Sequence, residues 1–295
     1  MEVETLYREF KPLLFSIAYR MLGSVADAED AVQETFAAVV SGDGKVANWK
    51  AYLCRAVTNR CMDILKSSRR KRELYVGPWL PEPLVQDAGP DRTASDPLQA
   101  TLLEETVSYA FLVLLQRLTP LERAVFILRE AFDYTYRDIA DIVGKTELGC
   151  RQTYSRVRRK VQGAPEAEAV PDLGEGRVLV ERFLQAAYTG DVASLVALLS
   201  DDAVLVSDGG GKRFAALQPI VGSVRVAAFL AGVAAKSGAG GSVRFALVNG
   251  SAGVVLTAPD GPTVVTFALS PDGRCSRMYL ILNPDKLTTL QAMGI

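Results

Sequence analysis

LTPLERAVFILREAFDYTYRDIADIVGKTELGCRQTYSRVRRK, residues 118–160, carries the strongest secondary-structure signals of the chain. It begins with a capping box, Thr119-Pro120-Leu121-Glu122, in which proline is preset for the first helical turn. This start predicts a helix whose core face contains Leu121, Val125 and Leu128.

A second pair of helices follows within the same stretch. Tyr136 to Val143 has the spacing of a short helix, Gly144 and Lys145 predict a turn, and Thr146 caps a final helix that ends near Val161. Two helices joined by a tight glycine turn are typical of a helix-turn-helix motif.

The final helix has two different faces. One face is apolar and predicts packing through Cys150, Tyr154, Val157 and Val161. The other side carries groups that can bond base edges or phosphates in the major groove: Arg151, Gln152, Ser155, Arg156 and Arg159. The capped frame around this helix favours DNA recognition over the alternative of a solvated basic helix.

Residues 1–72 predict a small all-helical domain. Its second helix, from about Val25 to Val40, has a stripe for burial formed by Ala28, Val32 and Phe36. The opposite side is an acidic face, which repels DNA and fits a basic protein surface. The acidic face consists of Asp27, Glu29, Asp30, Gln33 and Glu34.

The third helix of this domain and its tail combine aromatic, polar and basic side chains. Such a surface suits unpaired bases, because basic groups follow the phosphates and polar groups receive a base pulled from the stack. The polar and basic candidates are Asn59, Arg60, Lys66, Arg69 and Arg70. Trp49 and Tyr52 are equally well explained as core residues.

Residues 73–96 predict an extended linker, because prolines and glycines recur along them. Within this linker lies WLPEP, that is Trp79, Leu80, Pro81, Glu82 and Pro83. A solvated linker gains nothing by exposing Trp and Leu, so we expect this segment to dock in a groove. The alternative is an incidental apolar patch.

The remaining domain boundaries follow from changes in composition and in the spacing of apolar residues. Residues 97–163 form the helix-turn-helix domain, whose first helix starts at Pro97 and ends near Leu118; residues 164–175 form a second linker. Residues 176–295 alternate helical segments with strand-like runs such as VRFALV and TVVTFAL, separated by turn residues. They predict an α+β domain with a curved antiparallel sheet.

Bulk composition excludes several classes of protein. The chain has 295 residues, a net charge of −1, four widely spaced cysteines and no histidine. A zinc site and the common histidine-dependent nucleophiles are therefore not expected, and neither is a cofactor. No apolar stretch is long enough to span a membrane and the start is unlike a secretion signal, so we expect a cytoplasmic protein without membrane contact.

Two long segments resemble a known family. DAEDAVQETF with WKAYLCRAVTNRCMDILKSSRRKR resembles region two of extracytoplasmic-function (ECF) sigma factors, and the stretch from residue 118 to 160 resembles their region four. The resemblance implies a subunit that binds core RNA polymerase, through the β′ clamp helices and the β flap, and promoter DNA. The acidic face then meets the clamp helices, Asn59 and its basic neighbours meet the minus-ten element, and Arg151 and its neighbours read the minus-thirty-five element.

The C-terminal domain resembles a SnoaL-like cone, as in the SigJ type of sigma factor. WLPEP and two further strings carry this likeness: Asp208, Gly209, Gly210, Gly211 and Lys212, and Asn283, Pro284, Asp285 and Lys286. The resemblance implies two all-α sigma domains, a helical bundle and a helix-turn-helix, followed by a regulatory α+β domain that acts in cis, with no separate anti-sigma protein required. Three glycines in a row also predict a tight turn that another segment can approach closely.

Two other functions compete with this one. The first is an ordinary helix-turn-helix regulator that acts without polymerase, against which the acidic face and Asn59 argue. The second uses the C-terminal domain as a small-molecule sensor or a cyclase-like enzyme, with Asp201, Asp202 or Asp208 as the available carboxylates. Nothing in their spacing raises them above turn residues, so we expect no catalysis.

Overall fold

The structure is a computed structural model that describes residues 3–40, 46–68, 74–87, 108–162, 173–237, 241–288 and 290. The chain divides into two compact units. The first contains residues 1–73 and 112–164, and the second contains residues 74–111 and 165–295. Each unit therefore takes its residues from two separate parts of the chain.

The first unit is all-helical. Its N-terminal helices are α1 (Val3–Leu22), α2 (Val25–Val40) and α3 (Trp49–Ser67). Helix α4 (Tyr109–Leu115) starts among residues of the second unit and enters the first unit at Leu112. It is followed by α5 (Pro120–Glu130), α6 (Tyr136–Val143) and α7 (Glu147–Gln162). The predicted helix from Pro97 is described only from Tyr109 onward, and its earlier part lies outside the described residues.

Helix α2 has the bounds and the buried stripe that the sequence predicts. Ala28, Val32 and Phe36 are buried, because they recur on the side that packs against α1 and α3. Ser24 begins the helix by accepting a hydrogen bond from the Asp27 amide at 3.2 Å. Because the apolar stripe is buried, the acidic face on the opposite side of α2 is turned to solvent.

Helix α5 begins with the predicted capping box. The Thr119 hydroxyl accepts from the Glu122 amide at 3.3 Å, and the Glu122 carboxylate accepts from the Thr119 amide at 3.1 Å. Of the predicted core face, Val125 and Leu128 are buried and Leu121 is half-buried, while burial also includes the charged Glu122 and Arg123. The reason is that α5 is surrounded, since it packs against α1, α3, α6 and α7.

Arg123 joins the two helical modules of the first unit. It is buried and donates to the carbonyl oxygens of Met21 and Leu118 and to Gln116 Oε1. At the same interface, Tyr134 donates to Cys54 Sγ at 3.1 Å. The bundle α1–α3 and the module α5–α7, which the sequence suggests as separate domains, therefore pack together within one unit.

The second unit is built around a sheet. Its strands are β1 (Val85–Asp87), β2 (Leu199–Asp208), β3 (Ile220–Val221), β4 (Ser242–Val248), β5 (Ser251–Ala258), β6 (Gly261–Leu269) and β7 (Cys275–Ile281). The strand order is β1-β4-β5-β6-β7-β2-β3. Its helices are α8 (Leu173–Thr189), α9 (Val192–Leu198) and α10 (Ser223–Ser237), and a 3-10 turn, Pro284–Lys286, follows β7.

The α+β class is confirmed, but the prediction of an antiparallel sheet is wrong at one pair of strands. β2 and β7 run parallel, with Leu205 opposite Met278 and Val206 opposite Tyr279. Their connection is long enough to hold a helix and four strands, and parallel neighbours require such a crossover. Alternation of side chains shows which residues face the core but not which strand lies alongside.

The linker supplies the edge strand of this sheet. β1 pairs antiparallel with β4, with Val85 opposite Val248, and Leu84 exchanges backbone and side-chain hydrogen bonds with Asn249. The sequence predicts an extended linker here without this pairing. Residues 74–87 are therefore an integral part of the C-terminal fold.

The core of the second unit lies between the sheet and its helices. Phe183 and Leu195 pack with strand residues such as Phe267 and Leu280. Across the described ranges, no helix combines the length and the apolar character needed to cross a membrane.

Candidate functional site

Helix α7 presents the surface that the sequence predicts for DNA. Cys150, Thr153, Val157 and Val161 are buried, whereas Tyr154, which we expected on the packing face, is only half-buried. The predicted DNA-facing residues are all exposed: Arg151, Gln152, Ser155, Arg156 and Arg159. The structure thus brings these five residues together on one solvent-facing side of a capped helix.

Glu122 connects this surface to the start of α5. Its carboxylate lies 3.0 Å from Lys160 Nζ and 3.7 Å from Arg156 Nε. Burial raises the pKa of Glu122, but hydrogen bonds from Lys160 and from the backbone and side chain of Thr119 outweigh burial, and the net shift is downward. Glu122 therefore carries a charge that fixes the far end of α7.

The acidic face of α2 is exposed to solvent along its whole length. Asp27, Glu29, Asp30, Gln33 and Glu34 are all exposed along one side of the helix. A row of carboxylates on a rigid helix is suited to a basic partner surface.

The residues predicted to bind unpaired bases lie on α3, beside that acidic face. Asn59 is half-buried, and Arg60 and Lys66 are exposed. Arg60 Nε forms an ion pair with Glu34, and Lys66 pairs with Asp63 at 2.9 Å. Arg69 and Arg70 lie outside the described residues.

In the second unit, Asp208 is the centre of a buried polar site that we call the linker site, formed by Tyr75, Leu80, Asp208, Asn283 and Lys286. Asp208 is 0% exposed and accepts hydrogen bonds from Tyr75 Oη at 2.6 Å, the Leu80 amide at 2.8 Å and Lys286 Nζ at 2.7 Å. Two of these three donors belong to the linker. The Asp208 carboxylate therefore binds the linker to the C-terminal domain.

Lys286 completes the linker site from the opposite side. Its ammonium also donates to the Leu80 carbonyl, and it lies 4.1 Å from the centre of the Trp79 ring and 5.1 Å from that of Tyr75. A buried ammonium needs such partners, because its desolvation is costly. WLPEP is correspondingly well packed: Leu80, Pro81, Glu82 and Pro83 are buried, and Trp79 is half-buried.

The glycine turn that follows Asp208 allows the close approach that the sequence predicts. Gly210 has a φ of +61°, and a Cβ there would lie 2.4 Å from Asn283 Nδ2. At Gly209 a Cβ would lie 2.2 Å from the Arg213 carbonyl oxygen. The turn and the string at residues 283–286 are further joined by Lys212, which pairs with Asp285 at 2.7 Å on the surface.

Two tyrosines of the linker site region escape prediction from sequence. Tyr75 donates to Asp208 and accepts from Asn283 Nδ2 at 2.8 Å; burial and the bond to Asp208 raise the pKa of its hydroxyl. Tyr109 donates to the Pro81 carbonyl at 2.6 Å and packs against the Tyr279 ring. For Tyr75 the available signal is an aromatic residue in a proline-rich linker, as for Trp79. Tyr109 lies in the predicted helix that follows and gives no such signal.

The carboxylates considered for catalysis have structural partners. Asp201 pairs with Arg274 at 3.0 Å, Asp202 accepts from Ser200 Oγ at 3.0 Å, and Asp208 is enclosed by the linker. In the ranges that the structure describes, no group of three or more His, Cys, Asp and Glu side chains could hold a metal ion.

Comparison with known proteins agrees with this geometry. Residues 6–71 match the model of Sigma-70 region 2, and residues 108–161 match that of Sigma-70 region 4. The ECF RNA polymerase sigma factor SigJ of Mycobacterium tuberculosis (strain ATCC 25618 / H37Rv) is 36% identical over 95% of this chain and 92% of its own length. The probable ECF RNA polymerase sigma factor SigI of M. tuberculosis (strain CDC 1551 / Oshkosh) is 32% identical over 67% of each chain.

The same likeness extends to three dimensions. The crystal structure of M. tuberculosis SigJ superposes with a TM-score of 0.76 and 31% sequence identity, covering 97% of this chain and 98% of that one. The fold and its two helical modules thus define a subunit of bacterial transcription initiation. The chain belongs to the ECF RNA polymerase sigma factors.

Several predictions are confirmed by this membership. The chain is a sigma factor that binds core RNA polymerase and promoter DNA and directs transcription initiation. It is an initiation factor and not an enzyme. Two helical sigma domains followed by an α+β domain are the predicted architecture.

Proposed function

We propose that the C-terminal domain controls this sigma factor in cis by holding the linker between its two helical modules. The observation that carries the proposal is the linker site, where Asp208 and Lys286 of the C-terminal domain bind both backbone groups of Leu80 in the linker. Strand β1, five to seven residues after Leu80, adds a second attachment through its pairing with β4. The segment that must move when the modules separate is therefore bound at two places.

Separation of the modules is required by the length of a promoter. The minus-ten and minus-thirty-five elements are about 25 base pairs apart, or about 85 Å at about 3.4 Å per base pair. A packed unit of the size of residues 1–73 and 112–164 has a radius of gyration of about 14 Å. The packed unit is too small to reach both elements at once, so release of the linker favours promoter binding.

The resemblance to ECF sigma factors, together with the exposure of the described α2 and α7 residues, supports a role for each group of residues. Helix α7 reads the minus-thirty-five element through Arg151, Gln152, Ser155, Arg156 and Arg159. Asn59, Arg60 and Lys66, with Arg69 and Arg70, receive the minus-ten element. The acidic face of α2 binds the β′ clamp helices of polymerase, the module α5–α7 meets the β flap, and the protein acts where polymerase acts, in the cytoplasm.

The cis mechanism is tested with purified components, which also shows whether a separate anti-sigma protein is needed. Full-length chain, Asp208→Asn and a matched surface control, Asp260→Asn, are each combined with core polymerase and a randomised promoter library. We expect Asp208→Asn to raise specific transcription and the control to leave it unchanged. A variant that ends after residue 163 tests removal of the whole domain. Equal output from full-length chain, Asp208→Asn and the truncated variant would remove the regulatory role.

A further inference from the structure

On the α7 surface, the guanidinium of Arg151 is held by both an acidic side chain and an aromatic ring. Its Nε and one Nη donate to the same oxygen of Glu147, at 3.2 and 2.7 Å. Its guanidinium carbon lies 4.8 Å from the centre of the Tyr136 ring, within range of a cation–π interaction. Glu147 belongs to α7 itself, whereas Tyr136 belongs to α6.

The Tyr136 ring is itself fixed by its neighbours. It meets the Tyr154 ring edge to face at 5.9 Å, and Tyr154 stacks on Phe126 of α5 at 6.0 Å. Arg129 of α5 lies 5.1 Å from the same Tyr136 ring. The platform beneath Arg151 is therefore connected to all three helices of the module.

We infer that Tyr136 and Glu147 are positioning residues that orient Arg151 to recognise one guanine in the upstream promoter element. This inference rests on the proposed role of α7 as the reader of that element. Recognition of guanine requires two parallel N–H groups aimed at its O6 and N7 atoms, so a freely rotating arginine must first lose its freedom. In the DNA-free protein, Glu147 and Tyr136 already restrict the rotation of the Arg151 side chain.

The contacts also select the edge of the guanidinium that meets the base. Glu147 takes the side formed by Nε and the adjacent Nη, which leaves the end formed by the two Nη groups. Among the described residues, no acceptor for Arg151 Nη1 is found. An arginine that approaches end-on presents the two parallel donors that guanine O6 and N7 accept.

The test measures base preference and not affinity alone. Full-length chain and its variants are assembled with core polymerase and bound competitively to duplexes in which each base pair of the upstream element is varied. Arg151→Ala identifies the base pair that Arg151 reads, where we expect a preference for guanine to fall by about fivefold or more. Tyr136→Leu and Glu147→Gln lower the preference at that same base pair by about two- to fivefold.

Controls separate orientation from folding. Tyr136→Phe keeps the ring and retains the preference, and Glu181→Gln removes a comparable exposed ion pair, to Arg177 in the other unit, without effect. In an Arg151→Ala background, Tyr136→Leu produces no further change at that base pair. A structural defect would instead weaken binding to every duplex alike.

Two results would overturn the inference, and they differ. If Arg151→Ala changes the preference at one base pair but neither Tyr136→Leu nor Glu147→Gln does, Arg151 reads DNA without being positioned. If Arg151→Ala changes the preference at no base pair, the proposed reading role of Arg151 fails together with the inference.

Discussion

Lys286 and Asp208 form a charge pair with the Nζ–Oδ2 distance of 2.7 Å, in a place where the Asp208 side chain is fully excluded from solvent. Such a pair contributes little when complete, because both charges give up their hydration. Its loss is costly, because removal of one partner leaves the other charge buried. The pair is thus better suited to specify where the linker binds than to add stability.

Replacement of Lys286 by Met should release the linker. The substitution leaves the buried Asp208 carboxylate without its cation, and we expect the second unit to lose about 3–5 kcal/mol of stability. Hydrogen exchange at the Leu80 amide, which bonds to Asp208, should accelerate in the full-length protein. Lys212→Met is the control, since Lys212 forms an exposed ion pair with Asp285. Unchanged exchange at Leu80 in Lys286→Met would contradict this role.

Replacement of Gly210 by Ala should disturb the contact between the glycine turn and Asn283. A Cβ would meet the Asn283 amide, and the backbone φ of +61° is unfavourable for alanine, so we expect a loss of about 1–3 kcal/mol. Gly232→Ala is the matched control: this residue lies within α10, and a Cβ there meets nothing within 4 Å. It should stabilise α10 by up to about 1 kcal/mol. Equal unfolding midpoints for the two variants would refute the prediction.

The Glu122 carboxylate should make the first unit sensitive to acid. Its pKa is lowered in the folded protein from the ordinary value of 4.5, so its contribution to stability is present above that value and is lost as pH falls. Glu122→Gln should lower the free energy of unfolding by about 1–3 kcal/mol at pH 7 and by less near pH 4.

Urea unfolding of the full-length protein at several pH values measures this difference. Glu4→Gln serves as the control, because Glu4 and its partner Arg8 are both highly exposed. A gap between wild type and Glu122→Gln that stays constant from pH 7 to pH 4 would show that the ionised carboxylate is not responsible.

Reversal of charge on the acidic face should weaken polymerase binding. Asp30→Lys places a cation where a basic partner surface is expected, and we predict a loss of affinity for core polymerase of about tenfold, smaller at high salt because ions screen exposed charges. Glu4→Lys makes the same charge change on α1 of the same module and should have little effect. Similar losses in the two variants would point to net charge and not to the acidic face.

Local sequence signals predicted the helices well. The bounds of α2 and α6 follow from apolar spacing, and Thr119 and Thr146 cap the helices that they are expected to cap. These features depend on residues within four positions of each other, whose preferences are set by the backbone. The exposed faces of α2 and α7 are correct for the same reason.

Contacts between distant residues were less predictable. The apolar residues of WLPEP predict that this segment docks, but not where. The pairing of β1 with β4 joins residues more than 150 positions apart and cannot be read from the alternation of side chains in either segment. Tyr75 likewise meets Asp208 over 133 positions. The packing of Arg123 against Met21 was also not visible, because a buried arginine has the same spacing as one on a solvated helix.

The strand contributed by residues 85–87 has one more effect. With it in place, the amides and carbonyls at the end of β4 near Val248 have partners on both sides. Withdrawal of that strand leaves β4 as an edge strand with unpaired backbone N–H and C=O groups, which can pair with a strand of another molecule. A sigma factor activated in this way would carry a tendency to self-associate for as long as it stays open, and quick capture by polymerase would protect it.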